Sequence, residues 1–202
     1  MVQDIWVIDV HSGMGVRSFV AVECHDGHLH SRFDEAQGRL RATGANMKLV
    51  EIENIHITLK FLGDIEDHQV EELSQVIRDI TFEPFEFTVE GVGVFPNLKR
   101  PTTIWTGISS GVGELADLFK KVNDGLAKLG FEKDRRRLHP HLTIARVRSG
   151  QNRDRLVDEL VGLEEMEFGK VQVDRIYLKK SVLMPKGPIY STLAESKPSV
   201  DI

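Results

Sequence analysis

The chain has 202 residues, of which 41% are apolar and 28% are charged, and its formal net charge is −5. These values fit one globular domain, or two small lobes that share a core, and they exclude a disordered or fibrous chain. No apolar run approaches the roughly 20 residues that cross a bilayer. A single cysteine excludes an intrachain disulfide and a cysteine-based zinc site, so we expect a reducing, cytoplasmic environment.

Residues 1–15 lack the basic and apolar regions of a secretory signal, and we expect them to be an extension that precedes one domain at 16–202. Beyond them, period-two alternation of apolar residues predicts strands and a 3.6-residue period predicts helices. In chain order these are strand 17–23, helix 28–43, strands 47–52 and 55–62, helix 66–80, strands 85–95 and 102–108, helix 112–129, strand 140–148, helix 152–163, and strands 170–178 and 188–193.

The predicted elements repeat with an offset of about 85 residues. Strand 17–23 falls on 102–108, the helix after it falls on the helix at 112–129, and Gly44 falls on Gly130. Self-similarity of this kind indicates a duplication, and two copies are too few for a solenoid. We therefore predict a duplicated α+β fold of two lobes related by a pseudo-two-fold axis.

A His-x-Thr tripeptide occurs at the same phase of both copies, as His56 and Thr58 in the first and as His141 and Thr143 in the second. Alternate side chains of a strand share a face, so each His lies beside its Thr and opposite the apolar residues. A single tripeptide of this kind is usually a half-buried polar pair on a solvated sheet. Two of them, in phase with the repeat, favour one functional cleft between the lobes.

The segments HITLKFLG (56–63) and HLTIAR (141–146) resemble the paired signatures of the 2H phosphoesterase superfamily. Within it they most resemble those of the RNA 2',3'-cyclic phosphodiesterases, also described as 2'-5' RNA ligases, and the similarity runs from about Val16 to Glu195. The resemblance implies a bilobal fold of two antiparallel sheets with flanking helices, and both signatures would line the central groove.

The resemblance also implies hydrolysis of a 2',3'-cyclic phosphate, on RNA ends or nucleotides, to the 2'-phosphate without a metal or another cofactor. His56 would be the general acid and His141 the general base, although two pseudo-symmetric motifs leave the reverse assignment open. Joining of RNA ends through a 2'-5' linkage would be a minor reverse activity. We expect a monomer that does not associate with membranes.

Three further residues would contact the substrate in this reading. The hydroxyls of Thr58 and Thr143 can donate hydrogen bonds to non-bridging phosphate oxygens. Arg146 lies five residues after His141, so ideal alternation puts it on the opposite face. The family pattern nevertheless has a basic residue near this position, and a twist, a bulge or the strand end would bring it to the phosphate.

Two other classes of function remain open from the sequence. One is a non-catalytic module that binds RNA or nucleotides. The other is a metal-dependent phosphodiesterase in which His139, His141 and His56 supply three nitrogens, although neither motif has a carboxylate at a matching position. Side chains that could hold RNA are Phe61 and Trp105, by stacking on bases, and the basic run 135–137, by attracting phosphates.

Overall fold

The structure, a computed structural model, describes residues 15–24, 26–134, 138–185 and 187–197. These residues form nine strands, four α-helices and a short 3-10 helix at Ile52–Asn54. The strands are β1 (Val16–Glu23), β2 (Met47–Leu49), β3 (His56–Ile65), β4 (Phe85–Phe95), β5 (Thr103–Ser110), β6 (Leu142–Val147), β7 (Glu167–Val173), β8 (Tyr177–Met184) and β9 (Gly187–Glu195). The helices are α1 (Gly27–Ala42), α2 (Asp67–Asp79), α3 (Val112–Ala127) and α4 (Arg153–Val161).

Most predicted elements are confirmed to within a few residues, but two predicted strands are wrong in part. The segment predicted as one strand at 170–178 is two strands, β7 and β8, because the chain bends at 174–176. The strand predicted at 47–52 ends at Leu49, and the 3-10 helix follows it. None of the described helices combines the length and the apolar composition needed to cross a membrane.

The sheet consists of two antiparallel halves of four strands each, in the orders β7-β4-β5-β6 and β3-β1-β8-β9, with β2 paired to β6. Among the described residues, β3 and β6 join the halves through one residue pair, Ile57 with Leu142. The predicted α+β fold is confirmed, and the two predicted antiparallel sheets are the two halves of one nine-stranded sheet. Because β3 and β6 are equivalent strands of the repeat, the pseudo-two-fold axis passes close to the pair of Ile57 and Leu142.

Helices α1 and α3 each pack on the half of the sheet that does not contain the strand before them in the chain. Helix α1 follows β1 in the chain, yet it packs on β6 and β7 of the other half with α4 beside it. Helices α2 and α3 cover the half that contains β3, β8 and β9. The α1 contact is apolar, with the rings of Phe33 and Phe168 at 5.3 Å between centroids. Both rings are fully buried, which contributes roughly 1.5–3 kcal/mol each to the stability of the fold.

A β-bulge interrupts β6 just after its His-x-Thr motif. Ile104 of β5 pairs with Ala145 and the next residue, Trp105, pairs with Thr143, so Ile144 is an extra residue in β6. Ile144 and Ala145 are both fully buried, although they are adjacent in the strand. The bulge therefore reverses the alternation and turns Arg146 to the face that carries Thr143.

The same irregularity occurs in β3 at the equivalent position of the repeat. Val20 of β1 pairs with Lys60 and Ala21 pairs with Thr58, so Leu59 is the extra residue. The exposed side chain of Phe61 is then brought to the face of Thr58, where its ring lies 6.2 Å from that of Phe19.

A buried glutamine of α1 holds the bulge of β6. The side-chain amide of Gln37 donates hydrogen bonds to the carbonyl oxygens of Ile144 at 3.0 Å and Val50 at 2.7 Å. The Ile144 oxygen also accepts from the Val50 N–H at 2.9 Å, so the amide adds a second bond at the bulge and links it to the Val50 oxygen. Helix α1 thus stabilises the segment that orients Arg146.

Candidate active site

The structure brings both His-x-Thr motifs to one place on the sheet. Ile57 pairs with Leu142 in antiparallel register, and both side chains are buried under the helices. On the opposite face this register sets His56 next to Thr143 and Thr58 next to His141. Diagonal neighbours on one face of an antiparallel pair are about 7–8 Å apart, which leaves room for one phosphate between two imidazoles.

Both histidines are held in the same tautomer by the backbone carbonyl of the residue two positions earlier in the chain. The Nδ1–H of His56 donates to the carbonyl of Asn54 at 2.7 Å, and the Nδ1–H of His141 donates to the carbonyl of His139 at 2.8 Å. A carbonyl can only accept, so Nε2 is the ring nitrogen left to exchange a proton with a ligand. In the first motif, Nε2 lies 3.1 Å from the Thr58 hydroxyl.

Aromatic rings pack against both imidazoles in a similar way. The ring of Phe19 stacks on His56 at 4.8 Å, and Tyr190 approaches it edge-on at 5.4 Å. The ring of His141 meets Phe95 edge-on at 5.1 Å and Trp105 at 6.2 Å. These contacts restrict the rotation of both imidazoles and displace water from their faces.

The pKa values of both histidines lie below the ordinary value for histidine. The main cause for both residues is burial, because the charged form of the ring loses hydration. The backbone hydrogen bond of each ring opposes this effect in part. Arg146 lowers both pKa values further, so its positive charge acts on both imidazoles.

Arg146 lies on the same face of the sheet as the motifs, with its guanidinium exposed. Its register partners are Lys48 of β2 and Thr103 of β5. Strict alternation from His141 predicts the opposite face, and the bulge at Ile144 is the reason that this alternation does not apply. The five residues proposed from the sequence for the site therefore share one face of the sheet.

The aromatic residues considered from the sequence have different environments. Phe61 is 72% exposed on the cleft side of β3, whereas Trp105 is half-buried among Phe95, His139 and His141. The close approach of Trp105 to the backbone of Gly93 requires a glycine, because a Cβ there would lie 2.4 Å from the indole ring. The basic run 135–137 lies outside the described residues.

An ion pair beside His56 was missed by the sequence reasoning. A cavity of about 270 Å³ opens next to this histidine, and Glu23, Lys179 and Tyr190 are among its lining residues. The Lys179 ammonium bonds the Glu23 carboxylate, and both side chains are largely buried. The sequence carries no local signal of this pair, because its two residues lie 156 positions apart in the chain.

Within the described part of the chain, no group of three or more His, Cys, Asp or Glu side chains is arranged to hold a metal ion. His139 and His141 have their rings 6.3 Å apart between centroids and tilted by 58°. The polar groups that converge at the motifs are two imidazoles, two hydroxyls and one guanidinium. Groups of these types are able to bind an anion and to transfer protons.

The sequence matches the LigT-like phosphoesterase family in two consecutive segments, residues 26–105 and 107–190. An RNA 2',3'-cyclic phosphodiesterase of Aeropyrum pernix is 40% identical over 155 residues, which are 77% of this chain and 88% of that protein. The RNA 2',3'-cyclic phosphodiesterase of Methanothermobacter thermautotrophicus is 37% identical over 89% of this chain and 97% of its own.

Solved structures share the fold at lower sequence identity. A crystal structure from Thermus thermophilus has a TM-score of 0.74 at 24% identity and covers 89% of this chain and 96% of that one. The crystal structure of E. coli LigT in complex with 3'-AMP has a TM-score of 0.73 at 19% identity and covers 92% of this chain and 99% of that one.

Proposed function

Since this chain belongs to the LigT-like phosphoesterase family, we propose that it is an RNA 2',3'-cyclic phosphodiesterase whose catalytic residues are His56 and His141. Two relatives that are 37–40% identical to it over the aligned residues carry this name. The observation that carries the proposal is the matched pair of histidines on one sheet face, each with Nδ1 bound to a backbone carbonyl and Nε2 available.

Opening of the cyclic phosphate needs a base on one side of phosphorus and an acid on the other. In the proposed reaction, Nε2 of neutral His141 takes a proton from water as the water oxygen attacks phosphorus. The bond between phosphorus and O3' breaks, and the Nε2–H of protonated His56 delivers its proton to O3'. The product is a 2'-phosphate with a free 3'-hydroxyl, and both imidazoles return to their starting states by proton exchange with water.

The other three residues are proposed to hold the phosphate. The hydroxyls of Thr58 and Thr143 donate to its non-bridging oxygens, and the Arg146 guanidinium adds positive charge where negative charge grows in the transition state. The two imidazoles transfer the protons, and these three side chains stabilise the negative charge. We therefore propose that the reaction proceeds without a metal ion.

The cleft side of β3 suits a nucleotide as well as a phosphate. The exposed ring of Phe61 offers a flat apolar surface on which a base of an unpaired RNA end can stack. Ligation through a 2'-5' linkage would be the microscopic reverse, with a 5'-hydroxyl in place of water. We propose that the protein works as a monomer in the cytoplasm, where its buried, free Cys24 stays reduced.

The test is chromatographic identification of the product from an RNA oligonucleotide that ends in a 2',3'-cyclic phosphate. We expect a 2'-phosphate, formed in the presence of excess chelator. His56→Ala and His141→Ala should each lower kcat by about 10²–10⁴-fold, the usual contribution of a general acid or base. Binding of the oligonucleotide without turnover would indicate a non-catalytic module instead, and activity that chelator abolishes and a divalent cation restores would indicate a metal-dependent enzyme.

A further inference from the structure

A buried ion pair lies in the half of the sheet that carries His56. Lys179 of β8 is 8% exposed, bonds the Glu23 carboxylate of β1, and donates to the hydroxyl of Thr192 of β9 at 2.9 Å. Removing charges from water is costly, and well-packed apolar residues of similar volume often stabilise a fold as well as a buried pair does. The stability of the sheet alone therefore gives no reason to place two charges here.

The pair lies beside His56, on the same face of the sheet. Glu23 is the register partner of His56 across β1 and β3, and Glu23, Lys179 and His56 line the same cavity of about 270 Å³. The titratable and charged groups that line this cavity or act on His56 come from five different elements: Glu23 of β1, Glu53 of the 3-10 helix, Arg146 of β6, Lys179 of β8 and Tyr190 of β9.

The surroundings of the two histidines differ in charge although their backbones are equivalent. Near His56, the Glu23 carboxylate favours the protonated ring, and Lys179 and Arg146 oppose it. Near His141, the charged neighbours that act on the ring are His139 and Arg146, and both favour the neutral form. By the register of the sheet, the residue of β5 equivalent to Glu23 is Gly107, which carries no charge.

We propose that Glu23 and Lys179 are positioning residues that make the two histidines unequal, so that His56 carries the proton and His141 stays neutral. Thr192 holds the Lys179 ammonium, and this ammonium holds the Glu23 carboxylate beside the imidazole. Glu23 then stabilises the imidazolium, while Lys179 limits that effect. The inference rests on the proposed function and adds to it a physical basis for the roles of acid and base.

The direct test follows the protonation of His56 by NMR in the free, full-length protein with labelled imidazole carbons. Glu23→Gln removes the carboxylate and should lower the pKa of His56. Lys179→Met removes the ammonium that disfavours the imidazolium and should raise the pKa of His56, each change amounting to about 0.5–1 pH unit. The double variant Glu23→Gln/Lys179→Met should lie between the two. His141 should titrate unchanged in all of them.

The kinetic test uses the pH profile of kcat/KM, which reports the acid and base of the free enzyme. The alkaline limb belongs to the acid, so it should move to lower pH in Glu23→Gln and to higher pH in Lys179→Met, while the acidic limb stays in place. Glu23→Asp, which keeps a carboxylate, should restore most of the wild-type profile. Glu86→Gln is the matched control, because its carboxylate is paired with Lys170 at 2.7 Å in the other half of the sheet.

Two outcomes would overturn the proposal. One is a His56 titration that is the same in the wild type and in Glu23→Gln, which is nearly isosteric and keeps a polar partner for Lys179. The other is movement of the acidic limb, since it would make His56 the base. Because the NMR titration needs no turnover, a wild-type protein that does not hydrolyse cyclic phosphates would refute the proposed function without affecting the coupling of the pair to His56.

Discussion

Replacing Arg146 with alanine tests the arrangement of the phosphate site most directly. If its guanidinium binds the phosphate, the loss of a charge-assisted hydrogen bond costs about 1.5–3 kcal/mol, which corresponds to a fall of about 10–150-fold in kcat/KM. Arg146 also adds to the effect of burial in lowering the pKa values of His56 and His141. Its removal should therefore move both limbs of the kcat/KM profile to higher pH.

The assay is hydrolysis of a nucleoside 2',3'-cyclic phosphate between about pH 4.5 and 8.5 at constant ionic strength, a range that brackets the ordinary pKa of histidine. Arg155→Ala is the control for net charge, because Arg155 is exposed on α4, on the helical side of the sheet. Arg146 does not contact the phosphate if Arg146→Ala keeps its rate within about twofold and both limbs stay in place. A shift of only one limb would contradict the action of the Arg146 charge on both imidazoles.

Three further substitutions test the surroundings of the site. Thr58→Val and Thr143→Val should each lower kcat by about 5–100-fold without changing the urea midpoint, and normal kinetics would remove the hydroxyls from the phosphate site. Gln37→Met should release the bulge of β6 and lower kcat/KM. In a double-mutant cycle with Arg146→Ala, the two effects on kcat/KM should be much less than additive, and full additivity would contradict a shared cause. Gly93→Ala should displace the indole of Trp105, visible as a change in its fluorescence, with a loss of activity; an unchanged spectrum and rate would show that the ring does not depend on this glycine.

Much of the fold follows from periodicity in the sequence, and its failures have identifiable causes. Strand β4 is found at the predicted residues because Phe87 and Val89 alternate with polar side chains, and the apolar face predicted for α1 is fully buried. The predicted strand at 170–178 failed because its apolar positions change phase between Val173 and Ile176, three residues apart. That spacing breaks the period of two and marks the bend at 174–176 that separates the two strands.

The site was predicted in its parts but not in its geometry. The histidines and threonines follow from the repeat, whereas the orientation of Arg146 depends on a bulge that strict alternation does not include. Two adjacent buried residues, Ile144 and Ala145, are the local signal of that bulge. The Glu23–Lys179 pair joins strands 156 residues apart in the chain, so no local pattern predicts it.

The exchange of helices between the halves of the sheet bears on how this architecture arose. A half-length polypeptide that ended at β4 would have carried α1 with its apolar stripe, but without β6 and β7, the strands on which that stripe packs. Two such polypeptides could reproduce the packing of this structure only by trading their helices, as in a swapped dimer. A single-repeat ancestor with this packing would have been an intertwined pair with one histidine from each partner.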